Sequence, residues 1–225
     1  FCLLLYRDND MIRILHTADW HLGQTFFGYD RTKEHEAFLD WLLREIRKNE
    51  IDALIIAGDV FDVSNPSAAS QRMYYEFIYR VTAENPGLQI VIVAGNHDSA
   101  ARLEAPLPLL QAMRTEVRGV VRKLNEGEID YDHLAVELKN REGEVEVLCM
   151  AVPFLRQGDY PVVETEGNPY MEGVRELYTQ LLQRLWARRK TNQAILAIGH
   201  LQATGSEIAE KDYSERTVIG GLECV

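Results

Sequence analysis

Apolar and polar positions along the chain follow two periods. Ile12 to Thr17 is a short strand-like run. Ala53 to Ala57 is an apolar run of strand length, read as a buried strand, and Leu88 to Ala94 is a third strand. Between them, Thr32 to Asn49 carries apolar residues at 38, 39, 42, 43 and 46, the spacing of one helix face. Ser67 to Glu84 does the same with Met73, Phe77, Ile78 and Val81, until Asn85-Pro86-Gly87 breaks it. This β-α-β-α-β alternation predicts an α/β fold, a β-sheet core flanked by helices. The second half changes character. Leu134 to Leu138 and Val145 to Met150 alternate around Asn140-Arg141-Glu142-Gly143 and read as a hairpin. Pro153 to Pro169 reads as a surface loop, Tyr170 to Lys190 as a long helix, and Ala194 to Ile198 as another buried strand.

Phe1 to Tyr6 is apolar but too short for a membrane span, and it lacks a basic start and a cleavage site. It runs into Arg7-Asp8-Asn9-Asp10 and then Met11. Residues 1–10 are therefore expected to be a leader that is not the native start, and residues 11–225 a single domain. No apolar run approaches the roughly 18 residues of a membrane helix. Three cysteines, Cys2, Cys149 and Cys224, form neither a disulfide framework nor a CxxC zinc pattern and suit a reducing cytoplasm. With 24 basic and 35 acidic residues the formal charge is −11, which argues against a broad basic nucleic-acid face. It leaves DNA open as a substrate, because bound metals can supply local positive charge.

The strands share a feature: each runs into metal-ligand chemistry. Ile12–Thr17 leads to Asp19-Trp20-His21, Ala53–Ala57 to Gly58-Asp59, Leu88–Ala94 to Gly95-Asn96-His97-Asp98, and Ala194–Ile198 to Gly199-His200. In open α/β sheets ligands bind beyond the carboxyl ends of strands, so these four tips can converge. Two carboxylates, two imidazoles and an amide oxygen suit divalent Mn²⁺, Fe²⁺ or Zn²⁺. Asp59 could bridge two ions, in the arrangement of two-metal hydrolases. His97, beside a ligand, would face the substrate, where an imidazole can donate a proton or bind a phosphoryl oxygen.

These motifs, in this order, resemble the calcineurin-like metallophosphoesterase superfamily. The longer runs "ILHTADWHLGQ" at 14–24, "AGDVFD" at 57–62, "AGNHDS" at 94–99 and "GHL" at 199–201 resemble the SbcD-like DNA-repair exonucleases. The resemblance implies a layered metallophosphoesterase fold and a two-Mn²⁺ enzyme that cuts double-stranded DNA ends and hairpins. It implies partnership with an SbcC-like ABC-type ATPase, a homodimer contact on helix 67–84 and the following helix, no membrane association and a cytoplasmic location. It makes Asp19 and His21 ligands of the first metal, Asp59 the bridge, Asn96 and His200 ligands of the second, and His97 the transition-state histidine. Some relatives carry a histidine where this chain has Asp62. The family also closes its metal site with Gly-His-x-His, whereas the histidines here are 16, 21, 35, 97, 133 and 200. A domain incomplete at its C-terminus, and poorly active as these 225 residues, is the expectation.

Other residues have plainer readings. His16 lies inside a strand and is expected behind the ligands or in the core; His35 is expected to be solvated, and nothing is expected of His133. Asp98 either orients His97 or caps a helix starting near Ala100. Trp20, Phe26, Phe27 and Tyr29 read as an aromatic cluster packing a long loop, or as a stacking surface for DNA. Arg184 to Lys190 is the best basic patch in an acidic chain. Two competing functions remain: a phosphatase on the same scaffold, and a non-catalytic scaffold subunit. Protein phosphatases of the superfamily carry arginine after Gly-Asp-x-x-Asp, where this chain has Val63, and favour Gly-Asn-His-Glu over the Gly-Asn-His-Asp found here.

Overall fold

The structure, a computed structural model, describes residues 3–5 and 11–201. Cys2, Cys224 and the stretch after Leu201 that was expected to end the domain lie outside the described residues. In chain order the elements are β1 (Leu3–Leu5), β2 (Ile14–Thr17), β3 (Thr25–Phe26), β4 (Tyr29–Asp30), α1 (Thr32–Lys48), β5 (Ala53–Ala57), α2 (Ala68–Glu84) and β6 (Gln89–Val93). Then follow α3 (Ala100–Glu104), α4 (Leu107–Gln111), β7 (Thr115–Arg118), β8 (Ala135–Lys139), β9 (Val145–Ala151), α5 (Pro169–Arg188) and β10 (Ala194–Ile198).

A five-stranded sheet has the order β1-β2-β5-β6-β7. Strands β2, β5, β6 and β7 are parallel, and β1, from the segment expected to be a leader, adds antiparallel to β2. A second sheet of three strands has the order β10-β9-β8, with β9 and β10 parallel and β8 antiparallel to β9. The expected layering of a β-sheet core flanked by helices is present, and its core consists of two sheets face to face, the first covered outside by α1 and α2 and the second by α5.

Side-chain alternation sets this layering. From β5 and β6, Leu54, Ile56, Ile90 and Ile92 pack with Leu39, Leu42, Phe77 and Ile78 of α1 and α2. Their neighbours Ala53, Ile55, Ala57, Val91 and Val93 pack against Val136, Leu138, Val147, Cys149 and Ala151 of the second sheet. On the far side, Leu148 and Met150 meet Val174, Leu177, Leu181 and Leu185 of α5. Strands buried on both faces thus read as continuous apolar runs. Strand β10 differs from the expected buried strand: Ala194 and Ala197 are exposed, because β10 ends its sheet among the described residues.

Ser67 caps α2, its hydroxyl accepting from the Ser70 amide at 3.1 Å. Trp20 leaves the expected aromatic cluster. It is buried against Phe38 and Phe77, whereas Phe26, Phe27 and Tyr29 stand exposed on the β3–β4 turn. His35 is buried rather than solvated, because the first turn of α1 faces the core there. No helix among the described residues is long and apolar enough to cross a membrane.

Candidate metal centre

Strands β2, β5 and β6 are parallel neighbours, so their C-terminal ends open side by side. The chain leaving β2 runs along the chain leaving β5: the amides of Asp19, His21 and Leu22 donate to the carbonyls of Gly58, Asp59 and Val60 at 3.0–3.1 Å. This extension holds unusual backbone. Asp19, His21 and Asp59 have φ of 56°, 46° and 48°, in the left-handed region that costs a non-glycine residue about 1–3 kcal/mol. Gly58 has φ of 91°, and a Cβ there would overlap the His200 imidazole.

The ligand candidates meet at these tips. Donor atoms of Asp19, His21 and Asp59 lie within 4.8 Å of one another. His21 Nε2 is 3.7 Å from Asp59 Oδ2. His200 arrives from the second sheet, its Nε2 2.9 Å from Asn96 Oδ1 and 3.5 Å from Asp59 Oδ2. Its Nδ1 lies 2.9 Å from the Ala57 carbonyl, which fixes the ring orientation. Burial alone would lower the His200 pKa, but the Asp59 carboxylate, the Ala57 carbonyl and Asp19 outweigh it and raise it to about 9. Without metal, His200 therefore donates from both nitrogens, to Ala57 and Asn96, and a cation there must displace the Nε2 proton. Burial pushes the Asp59 pKa up, yet His200 and the His97 amide bring it below the usual carboxylate range.

His97 sits against this group. Its amide donates to Asp59 Oδ1 at 2.9 Å, and its Nδ1 is 2.8 Å from the Asp62 carbonyl. Its ring packs edge-on against His21, with centroids 4.8 Å apart. His97 Nε2 is buried without a hydrogen-bond partner, and so is His21 Nδ1, which lies 3.4 Å from Asp62 Oδ1 without hydrogen-bond alignment. The unpartnered His21 imidazole beside the Asp19 and Asp59 carboxylates, with Asn96 and His200, forms a donor set that fits divalent cations.

The remaining candidates divide. Asp62 meets both His21, through its carboxylate, and His97, through its carbonyl. Asp98 neither orients the His97 ring nor caps α3, whose N-cap is Ser99. Its buried carboxylate accepts from the amides of Val60, Phe61 and Gly95 at 2.9–3.2 Å, tying the loop after β5 to the loop after β6. His16 stays on β2, partly buried, and makes no hydrogen bond to a ligand candidate. The basic run on α5 is largely engaged: Arg184 lies over Tyr131 and 3.7 Å from Glu128, and Arg188 pairs with Asp132 at 2.9 Å.

Sequence reasoning passed over Arg156. Its signal is the same strand-end rule: β9 is parallel to β10, so the chain leaving β9 also reaches this end. Phe154 packs near His200, with ring centroids 6.3 Å apart, and the Arg156 Nη2 lies 3.4 Å from the carbonyls of both Asn96 and Asp98.

Known proteins resemble this chain over the same elements. The SbcD subunit of the SbcCD nuclease of Rhodobacter capsulatus is 38% identical over 221 residues, covering 95% of this chain and 53% of that protein. The SbcD subunit of the SbcCD nuclease of Escherichia coli (strain K12) is 32% identical over 219 residues, covering 94% of this chain and 51% of that protein. The chain thus spans about half the length of the curated relatives it matches. Residues 12–221 match the calcineurin-like phosphoesterase family, a stretch that includes every ligand candidate from Asp19 to His200, and the chain belongs to that family.

Proposed function

We propose that this chain is the catalytic domain of an SbcD-like nuclease that hydrolyses phosphodiester bonds at double-stranded DNA ends or hairpins in DNA repair. The observation that carries the reading is the meeting of Asp19, His21, Asp59, Asn96 and His200 at four strand ends, beside the unpartnered Nε2 of His97. The names of the relatives support a nuclease over a phosphatase, in line with Val63 and Asp98.

Asp19 and His21 would hold one divalent ion and Asn96 and His200 a second, with the Asp59 carboxylate in reach of both groups. Mn²⁺ suits this mixture of carboxylate, imidazole and amide. When bound, such a pair supplies an activated water at neutral pH and positive charge for the leaving oxygen. The protein's own groups do the rest. The Asp62 carbonyl accepts from His97 Nδ1–H, so Nε2 is the atom that gives or takes a proton at the substrate. The Asp62 carboxylate stands beside His21. Asp98 keeps the Asp59 and His97 loops together. An SbcC-like ABC-type ATPase is the partner, a homodimer contact runs over α2 where Tyr75 and Tyr79 are exposed, and the location is cytoplasmic.

The test compares degradation of linear duplex DNA with hydrolysis of p-nitrophenyl phosphate, both in Mn²⁺. DNA cleavage with little monoester turnover is the expected result. Efficient monoester turnover with intact DNA would make the chain a phosphatase, and neither activity, even in a longer chain that carries the family's Gly-His-x-His, would favour a scaffold subunit.

A further inference from the structure

The centre brings Asp19, Asp59 and Asp62 together in a chain of net charge −11, and a polyanionic substrate must approach it. Arg156 is placed to meet it. After β9 the chain alternates: Leu155 is buried in the cluster under α5, so Phe154 and Arg156 turn the opposite way, toward the strand ends. The Phe154 amide donates to the Ala94 carbonyl at 2.8 Å, which fixes this segment to the end of β6. A closed turn follows. The Arg156 amide donates to Asp159 Oδ2 at 2.8 Å, and the Asp159 amide donates to the Arg156 carbonyl at 2.9 Å.

The side chain is held but not consumed. Its guanidinium lies over the Phe154 ring, 5.3 Å from the centroid. Nη2 reaches the carbonyls of Asn96 and Asp98 at 3.4 Å, longer than an ordinary hydrogen bond. These carbonyls flank His97. Among the described residues the hydrogen bonds engage Nη2 alone, which leaves Nε and Nη1 with donors for an anion. Arg156 is exposed and pairs with no carboxylate side chain among the described residues, unlike Arg184 and Arg188.

We infer that Arg156 is a phosphate-binding residue at the mouth of the centre, gripping a backbone phosphate of the nucleic-acid substrate beside His97. The inference rests on the nuclease reading and adds to it the residue that places the strand. A planar guanidinium suits the two non-bridging oxygens of a phosphodiester, and stacking on Phe154 aims it before substrate arrives.

The experiment uses the 225-residue chain, Arg156→Ala and Arg156→Lys. Binding of a fluorescein-labelled hairpin duplex with phosphorothioate linkages is followed by anisotropy in Mn²⁺ from low to physiological salt. Melting temperature, bound metal and cleavage of the unmodified hairpin are measured alongside. Loss of one charged hydrogen-bonded contact predicts roughly tenfold or weaker binding in Arg156→Ala. The slope of log affinity against log salt should fall by about one, with metal content and melting unchanged. Arg156→Lys should keep the slope, because the charge remains, while binding less tightly than the parent. An unchanged slope in Arg156→Ala overturns the inference. That holds whether affinity is also unchanged or falls together with melting temperature, the mark of a mere tether for the loop. Failure of the parent chain to bind the hairpin even at low salt would remove the nuclease reading, and the inference would fall with it.

Discussion

Oδ1 of Asp59 fills the space that a side chain on residue 95 would need: a Cβ built on Gly95 overlaps that oxygen and the Asp59 amide. The glycine that opens Gly95-Asn96-His97-Asp98 is thus a condition for the position of the Asp59 carboxylate on the neighbouring strand's tip. Gly95→Ala must move the carboxylate or the backbone, and packing conflicts of this kind cost about 1–3 kcal/mol. The variant is expected to fold with lowered stability and to bind Mn²⁺ at least about tenfold more weakly, since a ligand displaced from its geometry loses much of its worth. Calorimetric titration with Mn²⁺ checks this; a parent-like isotherm would mean that the Asp59 position is not critical to the ions.

His97→Ala is expected to separate chemistry from metal binding. The His97 amide holds Asp59 and survives the substitution, whereas the ring with its unpartnered Nε2 is lost. Proton transfer by a positioned side chain is worth about 10²–10⁴ in rate. Cleavage of duplex DNA should fall by that factor while metal content, read by mass spectrometry, stays near the parent's. Loss of metal together with activity would place His97 among the ligands instead, in the group it forms with His21 and Asp62.

Asp59→Asn and Asn96→Ala probe whether one carboxylate serves both ions. Asp59 Oδ2 lies 3.7 Å from His21 Nε2 and 3.5 Å from His200 Nε2. Asn96 contacts His200 alone among the ligand candidates. Removing the shared charge should weaken both binding steps in a Mn²⁺ titration, and removing the amide only one. Equal losses from the two variants would end the bridging assignment.

The meeting of the ligand candidates was legible because parallel strands deliver their C-terminal tips to one place, so order along the chain becomes proximity in space. What sequence periodicity could not carry was set by distant partners. Strand β7 contains Glu116 and Arg118 around a single core residue, Val117; Arg118 is buried because its guanidinium donates to the His133 carbonyl and pairs with Glu116. Asp98 looked like a cap, but its three amide donors include Val60 and Phe61 from another loop. Trp20 sits in a ligand triplet and yet packs under α1 and α2, because the left-handed turns at Asp19 and His21 point alternate side chains to opposite sides. The second sheet was hidden because β5 and β6 are apolar on both faces whether a helix or a strand covers them.

Acid stability depends on a buried histidine away from the candidate metal centre. The His133 side chain is buried, its Nε2 without a hydrogen-bond partner and 3.8 Å from Glu104 Oε1. Burial, followed by the charges of Arg118 and Arg122, lowers its pKa from 6.5 to about 4, against the weaker pull of Glu104 and Asp130. Above pH 6.5 the imidazole is neutral in both folded and unfolded chains and contributes no pH dependence. Between about 6.5 and 4 only the unfolded chain binds the proton, so unfolding gains as pH falls. This one group should contribute a slope of up to about 1.4 kcal/mol per pH unit across that window. His16 and His35 also titrate low through burial and add slopes of the same sign, so the parent alone cannot isolate the effect. His133→Gln removes one proton site and leaves the others. Burial raises the Asp19 and Asp98 carboxyls and opposes this slope equally in both proteins, so urea unfolding at several pH values from 7 to 4.5 should show stability falling more steeply, or rising less, in the parent than in the variant. Parallel lines for the two proteins would show that His133 protonates in the fold as readily as in the unfolded chain.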